Sequence, residues 1–121
     1  MSENAGRRTF YAGEALATNR LVKLKSGTTT TPPEVDYADS DAEAIGVTEF
    51  AAASGDPVTV RLNNVGGTVE LTAAEAFAIG APLFTANDGK VADTDPGSGT
   101  VRYVAIEAAT ADGDLVECYV K

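Results

Sequence analysis

Alternation of apolar and polar residues predicts short strands along most of the chain. The clearest example is 57–63 (PVTVRLN), in which Val58, Val60 and Leu62 are expected to face inward and the residues between them outward. Further strands are predicted at 20–25, 44–50, 68–71, 82–86, 90–92, 101–107 and 115–120. Short strands at intervals of about 8 to 12 residues, with turn signals between them, predict an all-β barrel or sandwich.

One stretch of this pattern occurs twice. Residues 49–62 (EFAAASGDPVTVRL) resemble residues 107–120 (EAATADGDLVECYV), with Glu49 aligned on Glu107. Each copy is an Ala-rich connection, a Gly-Asp turn and a strand with apolar residues at every second position. The predicted core positions of the two copies are Val58, Val60, Leu62, Val116, Cys118 and Val120.

The segments upstream of the two copies match more loosely, with 13–24 resembling 74–85. Self-similarity of this kind predicts a fold built from repeated units. We therefore expect a single β domain at 13–121, made of two related halves that span approximately 13–67 and 68–121.

Turn signals separate the predicted strands. The segments 13–19 and 73–79 are each compatible with one short helical turn, the second opened by a capping box at Thr72. Asn87-Asp88-Gly89 between two apolar runs predicts a hairpin. The residues predicted to form turns are Gly55, Asp56, Asn87, Asp88, Gly89, Gly113 and Asp114.

The first 12 residues predict an N-terminal arm. Residues 1–8 (MSENAGRR) are small and polar without periodicity, and Thr9, Phe10 and Tyr11 follow as an extended, partly apolar segment. The basic pair Arg7-Arg8 is unusual in an acidic chain. It is compatible with a solvated tail or with an arm that docks on an acidic or carbonyl-rich partner, and we take Arg7, Arg8, Thr9, Phe10 and Tyr11 as candidate anchors.

Composition excludes several functions. The chain has 121 residues and a formal net charge of -9, which argues against nucleic-acid binding because phosphate contacts require a basic surface. Its single cysteine, Cys118, rules out an internal disulfide and is expected to be buried and inert. We expect a soluble intracellular product that does not bind a membrane, since the sequence has neither a signal peptide nor a long apolar run.

Candidate chemistry is sparse, and we expect no enzyme, no metal and no cofactor. Histidine is absent, which removes imidazole bases and histidine metal sites. The acidic run 36–43 lacks the mid-loop glycine of a calcium loop and fits a short helical turn as well. Glu49 and Glu107 are expected to play a structural role, such as accepting backbone N–H groups. Lys90 at the hairpin tip leaves open a carrier-like module, although its neighbours do not match that pattern.

Three stretches resemble a family of small capsid cement (decoration) proteins of tailed phages and prophages. They are 44–62 (AIGVTEFAAASGDPVTVRL), 74–93 (AEAFAIGAPLFTANDGKVAD) and 104–120 (VAIEAATADGDLVECYV). The resemblance covers nearly the whole chain from Gly13 and departs at Arg102-Tyr103 and in the acidic run. It implies a β-tulip-like barrel or sandwich without catalytic residues.

The same resemblance implies a partner and a location. It implies a homotrimer on the outer surface of the virion, where it binds the major capsid protein and stabilises the head against DNA pressure after synthesis in the host cytoplasm. The alternative is a small ligand-binding or carbohydrate-binding β module. Against a sugar platform, Tyr11, Tyr37, Tyr103 and Tyr119 fall on separate predicted elements.

Overall fold

The chain folds into two five-stranded units that follow one another in sequence. The structure is a computed structural model that describes residues 6–121, except the side chain of Val65. The first unit contains β1 (Arg7–Ala12), β2 (Leu21–Leu24), β3 (Glu34–Tyr37), β4 (Gly46–Thr48) and β5 (Pro57–Leu62). The second contains β6 (Thr68–Thr72), β7 (Pro82–Thr85), β8 (Val91–Ala92), β9 (Tyr103–Ala105) and β10 (Leu115–Val120). Single 3-10 turns lie at Asn63–Val65 and Asn87–Gly89.

The first unit is a closed barrel with the strand order β1-β3-β2-β4-β5. Its closing strand is β1, which pairs antiparallel with β5 from Arg7 to Tyr11 and parallel with β3 at Tyr11 and Ala12. Closure leaves no unpaired edge in this unit, which removes a template for aggregation. The all-β barrel prediction is confirmed.

The second unit repeats this order as β6-β10-β9-β7-β8 but stays partly open. Its edge strands β6 and β8 meet only at one parallel bridge, Ala73↔Val91, where the first unit has the β1–β3 ladder. The second unit is therefore a half-closed version of the first.

Hydrogen bonds at the Gly-Asp turns confirm that the halves are related. Ala12 N donates to Asp56 O and Ala73 N donates to Asp114 O, both at 2.8 Å. Each Gly-Asp turn returns a bond from its glycine, Gly55 or Gly113, to the same alanine carbonyl. The two turns therefore close their units in the same way.

The predicted alignment of Glu49 on Glu107 is wrong by one residue. Glu49 N donates to Thr59 O and Ile106 N donates to Glu117 O, so Ile106 is the equivalent of Glu49. Glu107 N shares the same Glu117 acceptor at 3.3 Å, which is the geometry of a bulge. The bridge at Ala109, which is the equivalent of the bridge at Ala52, keeps this one-residue shift, whereas the Gly-Asp turn at Gly113 does not. The extra residue of the second half therefore lies between Ala109 and Gly113, and only the backbone pairing shows it.

Two apolar clusters fill the units. The barrel interior holds Phe10, Ala12, Leu16, Val22, Val35, Val58 and Val60. The second cluster includes the inward residues of β6, β9 and β10, among them Val116 and Cys118, together with Leu21, Ala38, Ala44 and Val47 from the first unit. Leu62 and Val120 are partly buried at the margins of these clusters. The barrel thus packs its outer face into the open side of the second unit.

The predicted helical turns at 13–19 and 73–79 are wrong. Neither segment is helical: bends lie at 13–14 and 74–75 and turns at 18–19 and 79–80. Between them, Leu16 and Phe77 form bridges to Ala52 and Ala109. Leu16 and Phe77 are buried, and the bridge gives each backbone N–H a carbonyl acceptor that one isolated turn would not supply. The capping box at Thr72 is also wrong, because its hydroxyl donates to Asn19 O at 3.0 Å.

The predicted hairpin at Asn87-Asp88-Gly89 is confirmed, and it joins β7 to β8. Asp88 and Gly89 have φ of 61° and 70°, the left-handed region that Asp and Gly tolerate. In the acidic run at 36–43, Asp36 and Tyr37 end strand β3. One turn follows at residues 40–41, where the short turn is predicted, and Ala42 N donates to Asp39 O there at 3.0 Å. Within residues 6–121, no helix has the length and hydropathy needed to cross a membrane.

Candidate functional site

Strand β1 carries the basic and aromatic residues that were proposed as anchors. Arg7, Arg8 and Thr9 are exposed and Tyr11 is half-buried. Arg7 Nε donates to Glu49 Oε2 at 2.8 Å, which neutralises one of the two basic groups. The Arg8 guanidinium lies 5.2 Å from the centre of the Phe10 ring and has no carboxylate partner within residues 6–121. Arg8 and Thr9 are therefore the anchors that this strand offers to solvent.

The predicted arm requires two corrections. Residues 7–12 belong to the barrel, because β1 pairs with β5 and β3, while residues 1–5 lie outside the described residues. Phe10 is 3% exposed and points into the barrel, so its side chain is core and is not available to a partner in this fold. Its inward position follows from the alternation that also buries Ala12.

A groove of about 900 Å³ lies where the two units meet. Three basic side chains border it, Lys23, Arg102 and Lys121, against a single carboxylate, Glu43. The remaining lining residues are Leu24, Ala44, Ile45, Leu62, Asn63, Asn64, Thr100, Val101, Tyr103 and Val120. Sequence reasoning missed this groove because its walls come from five separated segments that no motif connects.

One exposed carboxylate pair has pKa values displaced in opposite directions. Glu75 accepts hydrogen bonds from Thr94 N and Thr94 Oγ1 at 3.1 and 2.7 Å, and these bonds hold the pKa of Glu75 below its ordinary value. A hydrogen bond shared with Glu75 raises the pKa of Asp93. The contacts tie the loop that follows β6 to the loop that follows β8, and this is a structural role.

The other side chains that could take part in chemistry, the thiol and the two glutamates, have structural roles. Burial raises the pKa of Cys118 to about 12, so the thiol is protonated at neutral pH and is a poor nucleophile. Glu107 Oε1 accepts the backbone N–H of Glu117 at 2.8 Å, as predicted for a structural glutamate, whereas Glu49 instead binds Arg7. In the described part of the chain, no three carboxylate or thiol groups come together as metal ligands.

The positions of Lys90 and of the tyrosines do not favour a carrier module or a sugar-binding surface. Lys90 Nζ donates to Asp112 Oδ1 at 2.8 Å, so this lysine is held against the neighbouring turn. Tyr103 is buried, and Tyr37 accepts a hydrogen bond from Ala17 N at 2.7 Å. The four tyrosines do not form one stacking surface.

Comparison with known proteins gives one family and one structural relative. The phage cement protein family matches residues 2–121. The head fiber gp8.5 N base of bacteriophage phi29 superposes with a TM-score of 0.80 over 95% of this chain and 92% of that chain, at 23% sequence identity. At that identity the likeness shows a shared fold. No curated protein sequence matches.

The family match spans both units, including every strand described above. Proteins of this family are structural and associate with the phage capsid, and the family is not one of enzymes. Since the match covers nearly the full chain, the chain belongs to the phage cement protein family.

Proposed function

We propose that this protein binds the outer surface of the major capsid protein shell as a homotrimer and stabilises the head against the pressure of packaged DNA. The observation that carries the proposal is the match to the phage cement protein family over residues 2–121. The likeness in fold to a phage head fiber base is consistent with it.

The rigidity and the charge of the protein support a role in holding capsid subunits together. A closed barrel packed against a second β unit is a rigid body, and rigidity lowers the entropy cost of docking. Three copies in one trimer would multiply a modest contact through effective concentration. The net charge of -9 keeps unbound copies apart until they meet a specific surface.

The proposed capsid contact is the exposed part of β1, which comprises Arg7, Arg8, Thr9 and Tyr11. Arg8 is the strongest candidate within it, because its charge is exposed and has no carboxylate partner among the described residues. Phe10 supports this contact from inside the barrel, since the Arg8 guanidinium rests over its ring.

The test is binding to empty, undecorated shells. Purified protein is mixed with shells, the shells are sedimented, and bound protein is quantified against free protein. We expect saturable binding, density on the outer face by electron microscopy, and decorated shells that survive heating better than bare ones. Failure of the wild-type protein to bind would overturn the proposed function.

The β1 contact needs a point variant, because deleting residues 1–9 would remove three of the positions that pair β1 with β5. We expect Arg8→Glu to lower shell occupancy at a fixed protein concentration. Lys25→Glu makes the same charge change at the residue immediately after β2, and the shell occupancy of this control variant should match that of wild type. Equal occupancy of both variants would remove Arg8 from the contact.

One observation favours the ligand-binding alternative, namely the basic groove between the units. Among the described residues that line it, the only aromatic is the buried Tyr103, so it lacks the exposed ring on which sugars stack. A glycan-binding screen tests this alternative directly, and saturable binding of a glycan that Arg102→Ala abolishes would support it.

A further inference from the structure

The groove between the units has the opposite charge balance from the chain as a whole. The chain contains 18 acidic and 9 basic residues. The groove is lined by Lys23, Arg102 and Lys121 against one acidic residue, Glu43. A basic recess in a protein of net charge -9 attracts an anionic group that the rest of the protein repels.

Two of these three basic groups are not paired within the protein. Among residues 6–121, neither Arg102 nor Lys121 forms an ion pair with a carboxylate. Lys23 Nζ lies 4.0 Å from Asp39 Oδ2, and a solvent-exposed pair at that distance is weak. The charges of the groove are therefore available to a ligand.

Apolar side chains line the same groove. Ile45 and Leu62 come from the first unit, and Val101 and Val120 come from the second. Leu24 also lines it and is 48% exposed. An occupant of this groove would thus bury apolar groups as well as neutralise basic ones.

The groove is continuous with the proposed capsid contact on β1. Arg8 pairs with Val60, and Leu62 is the next residue of β5 on the same side of the sheet. Diagonal neighbours of this kind lie about 7–8 Å apart. Leu62 N also donates to Gly6 O at 2.7 Å, which holds the start of β1 beside the groove. Arg8 therefore places a further basic group at the edge of the groove.

The distribution of the basic groups favours an extended chain over a compact anion. Lys23 lies on β2, Arg102 precedes β9, Lys121 follows β10 and Arg8 lies on β1. An extended peptide can present a carboxylate to each of several such groups and direct the side chains between them at apolar residues. Recognition of acidic motifs by clustered arginines follows the same chemistry.

We propose that this groove binds an extended segment of a partner protein in which carboxylate side chains alternate with apolar ones. The inference rests on the proposed function, under which the segment belongs to the capsid shell. It names the chemistry that the shell presents to this protein.

The first test uses a short fluorescein-labelled peptide of alternating Glu and Val, with binding followed by fluorescence anisotropy. We expect saturable binding to the full chain that weakens as salt is added. The matched peptide of alternating Gln and Val lacks the charges, and the peptide of alternating Glu and Gly lacks the apolar groups, so both should bind more weakly. No binding of the Glu-Val peptide, or equal binding of all three peptides, would overturn the inference.

The second test reverses one charge of the groove. Arg102→Glu replaces an attraction with a repulsion and should raise the Kd of the Glu-Val peptide by at least about fivefold. Lys25→Glu makes the same charge change outside the groove lining and should leave the Kd unchanged. Equal Kd values for Arg102→Glu and wild type, or equal losses in the two variants, would overturn the assignment of the site.

Far-UV circular dichroism shows whether the variants are folded. If Arg102→Glu does not fold, Lys121→Glu takes its place, because Lys121 is exposed after the last strand. The same loss of peptide affinity is expected for Lys121→Glu, and an unchanged Kd would overturn the inference.

Other occupants are tested by competition. Inorganic phosphate, a single-stranded oligonucleotide or a glycan is added to the complex with the labelled peptide. We expect unlabelled Glu-Val peptide to displace the labelled one at the lowest concentration. Displacement by any of the others at a lower concentration would overturn the choice of a peptide.

Empty shells separate this inference from the proposed function. Arg102→Glu should lower shell occupancy more than Lys25→Glu does, and the Glu-Val peptide should compete with the shells. A wild-type protein that binds the peptide but not shells would overturn the proposed function and leave the peptide site standing. Shell occupancy that neither Arg102→Glu nor the peptide lowers would overturn the inference and leave the proposed function standing.

Discussion

Asn63 donates a hydrogen bond from Nδ2 to the phenol oxygen of Tyr103 at 2.8 Å, and this bond crosses the junction between the two units. Asn63 follows β5, whereas Tyr103 begins β9 and is 1% exposed. The same Nδ2 donates to Ala44 O at 3.0 Å. The amide therefore links the first barrel to the interior of the second sheet through a partly buried polar contact.

Removing this link should destabilise the fold moderately. Tyr103→Phe keeps the ring in the core and deletes the hydroxyl, so we expect a loss of about 1 kcal/mol of unfolding free energy. Asn63→Ala removes both donated bonds and should cost more than Tyr103→Phe. Urea unfolding followed by circular dichroism measures both, and a Tyr103→Phe variant as stable as wild type would show that the bond contributes nothing.

Stability should fall at alkaline pH. Burial raises the pKa of Tyr103 from 10.0 to about 12 and that of Cys118 from 9.0 to about 12. Between these values the unfolded chain loses protons that the folded chain retains, so the unfolded state is favoured increasingly as the pH rises from 9 to 12. Each unit of pKa difference corresponds to about 1.4 kcal/mol.

The contribution of the thiol can be separated with Cys118→Val, because Val60 fills the equivalent place in the first unit. At pH 7 the variant should lie within about 1.5 kcal/mol of wild type. Urea unfolding between pH 8 and 11 should show a shallower decline for the variant. Parallel declines for the two proteins would mean that the buried thiol is not the titrating group.

Val60→Asp should unfold the domain. Val60 is 0% exposed inside the barrel, and a carboxylate there would be unpaired and cut off from water, at a cost of several kcal/mol. Thr59→Asp places the same charge on the outward side of the same strand and should leave a cooperative thermal transition near that of wild type. A Val60→Asp protein with native thermal stability would show that the register of β5 is wrong.

Gly89→Ala should destabilise the junction far more than Gly113→Ala. Both glycines have positive φ, 70° and 96°, so both substitutions carry a backbone cost of about 1 kcal/mol. At Gly89 the added Cβ would also lie 2.9 Å from Leu21 N, whereas at Gly113 it would meet open space. We expect differential scanning calorimetry to show a clearly larger fall in Tm for Gly89→Ala, and equal falls would contradict the close approach of the hairpin to β2.

Asp114 should contribute stability that disappears in acid. Its Oδ2 accepts hydrogen bonds from Thr110 N, Thr110 Oγ1 and Ala111 N, and these bonds hold the pKa of Asp114 below its ordinary 3.8. A depressed pKa stabilises the fold above that ordinary value and ceases to do so as the pH falls below it. Asp114→Ala should therefore be less stable than wild type at pH 7, with a gap that narrows at pH 3, and a gap independent of pH would rule out the charge.

Features that depend on neighbours in the chain were predictable. Alternation identified β5 and β10, and Asn87-Asp88-Gly89 identified the hairpin, because side-chain period and left-handed backbone are local properties. The relationship between the halves was also readable, since both Gly-Asp turns keep the same residues. For the candidate site, the basic pair followed by aromatic residues marked the segment 7–11, and the structure exposes Arg7, Arg8 and Thr9 within it. Their role as a capsid contact stays a prediction.

Features that depend on distant partners were not predictable. The sequence around Arg7 and Arg8 is compatible with a solvated tail, and only the pairing with the distant strand β5 makes it part of the barrel. Likewise, the sequence around Leu16 is compatible with a helical turn, and only the bridge to Ala52 excludes one. The burial of Leu21 and the exposure of Ile79 depend on which sheet face the second unit covers. A short segment can favour a strand through its own residues. The closing of the barrel by β1 and the burial of a sheet face instead depend on contacts between segments far apart in the chain, which a local sequence pattern does not specify.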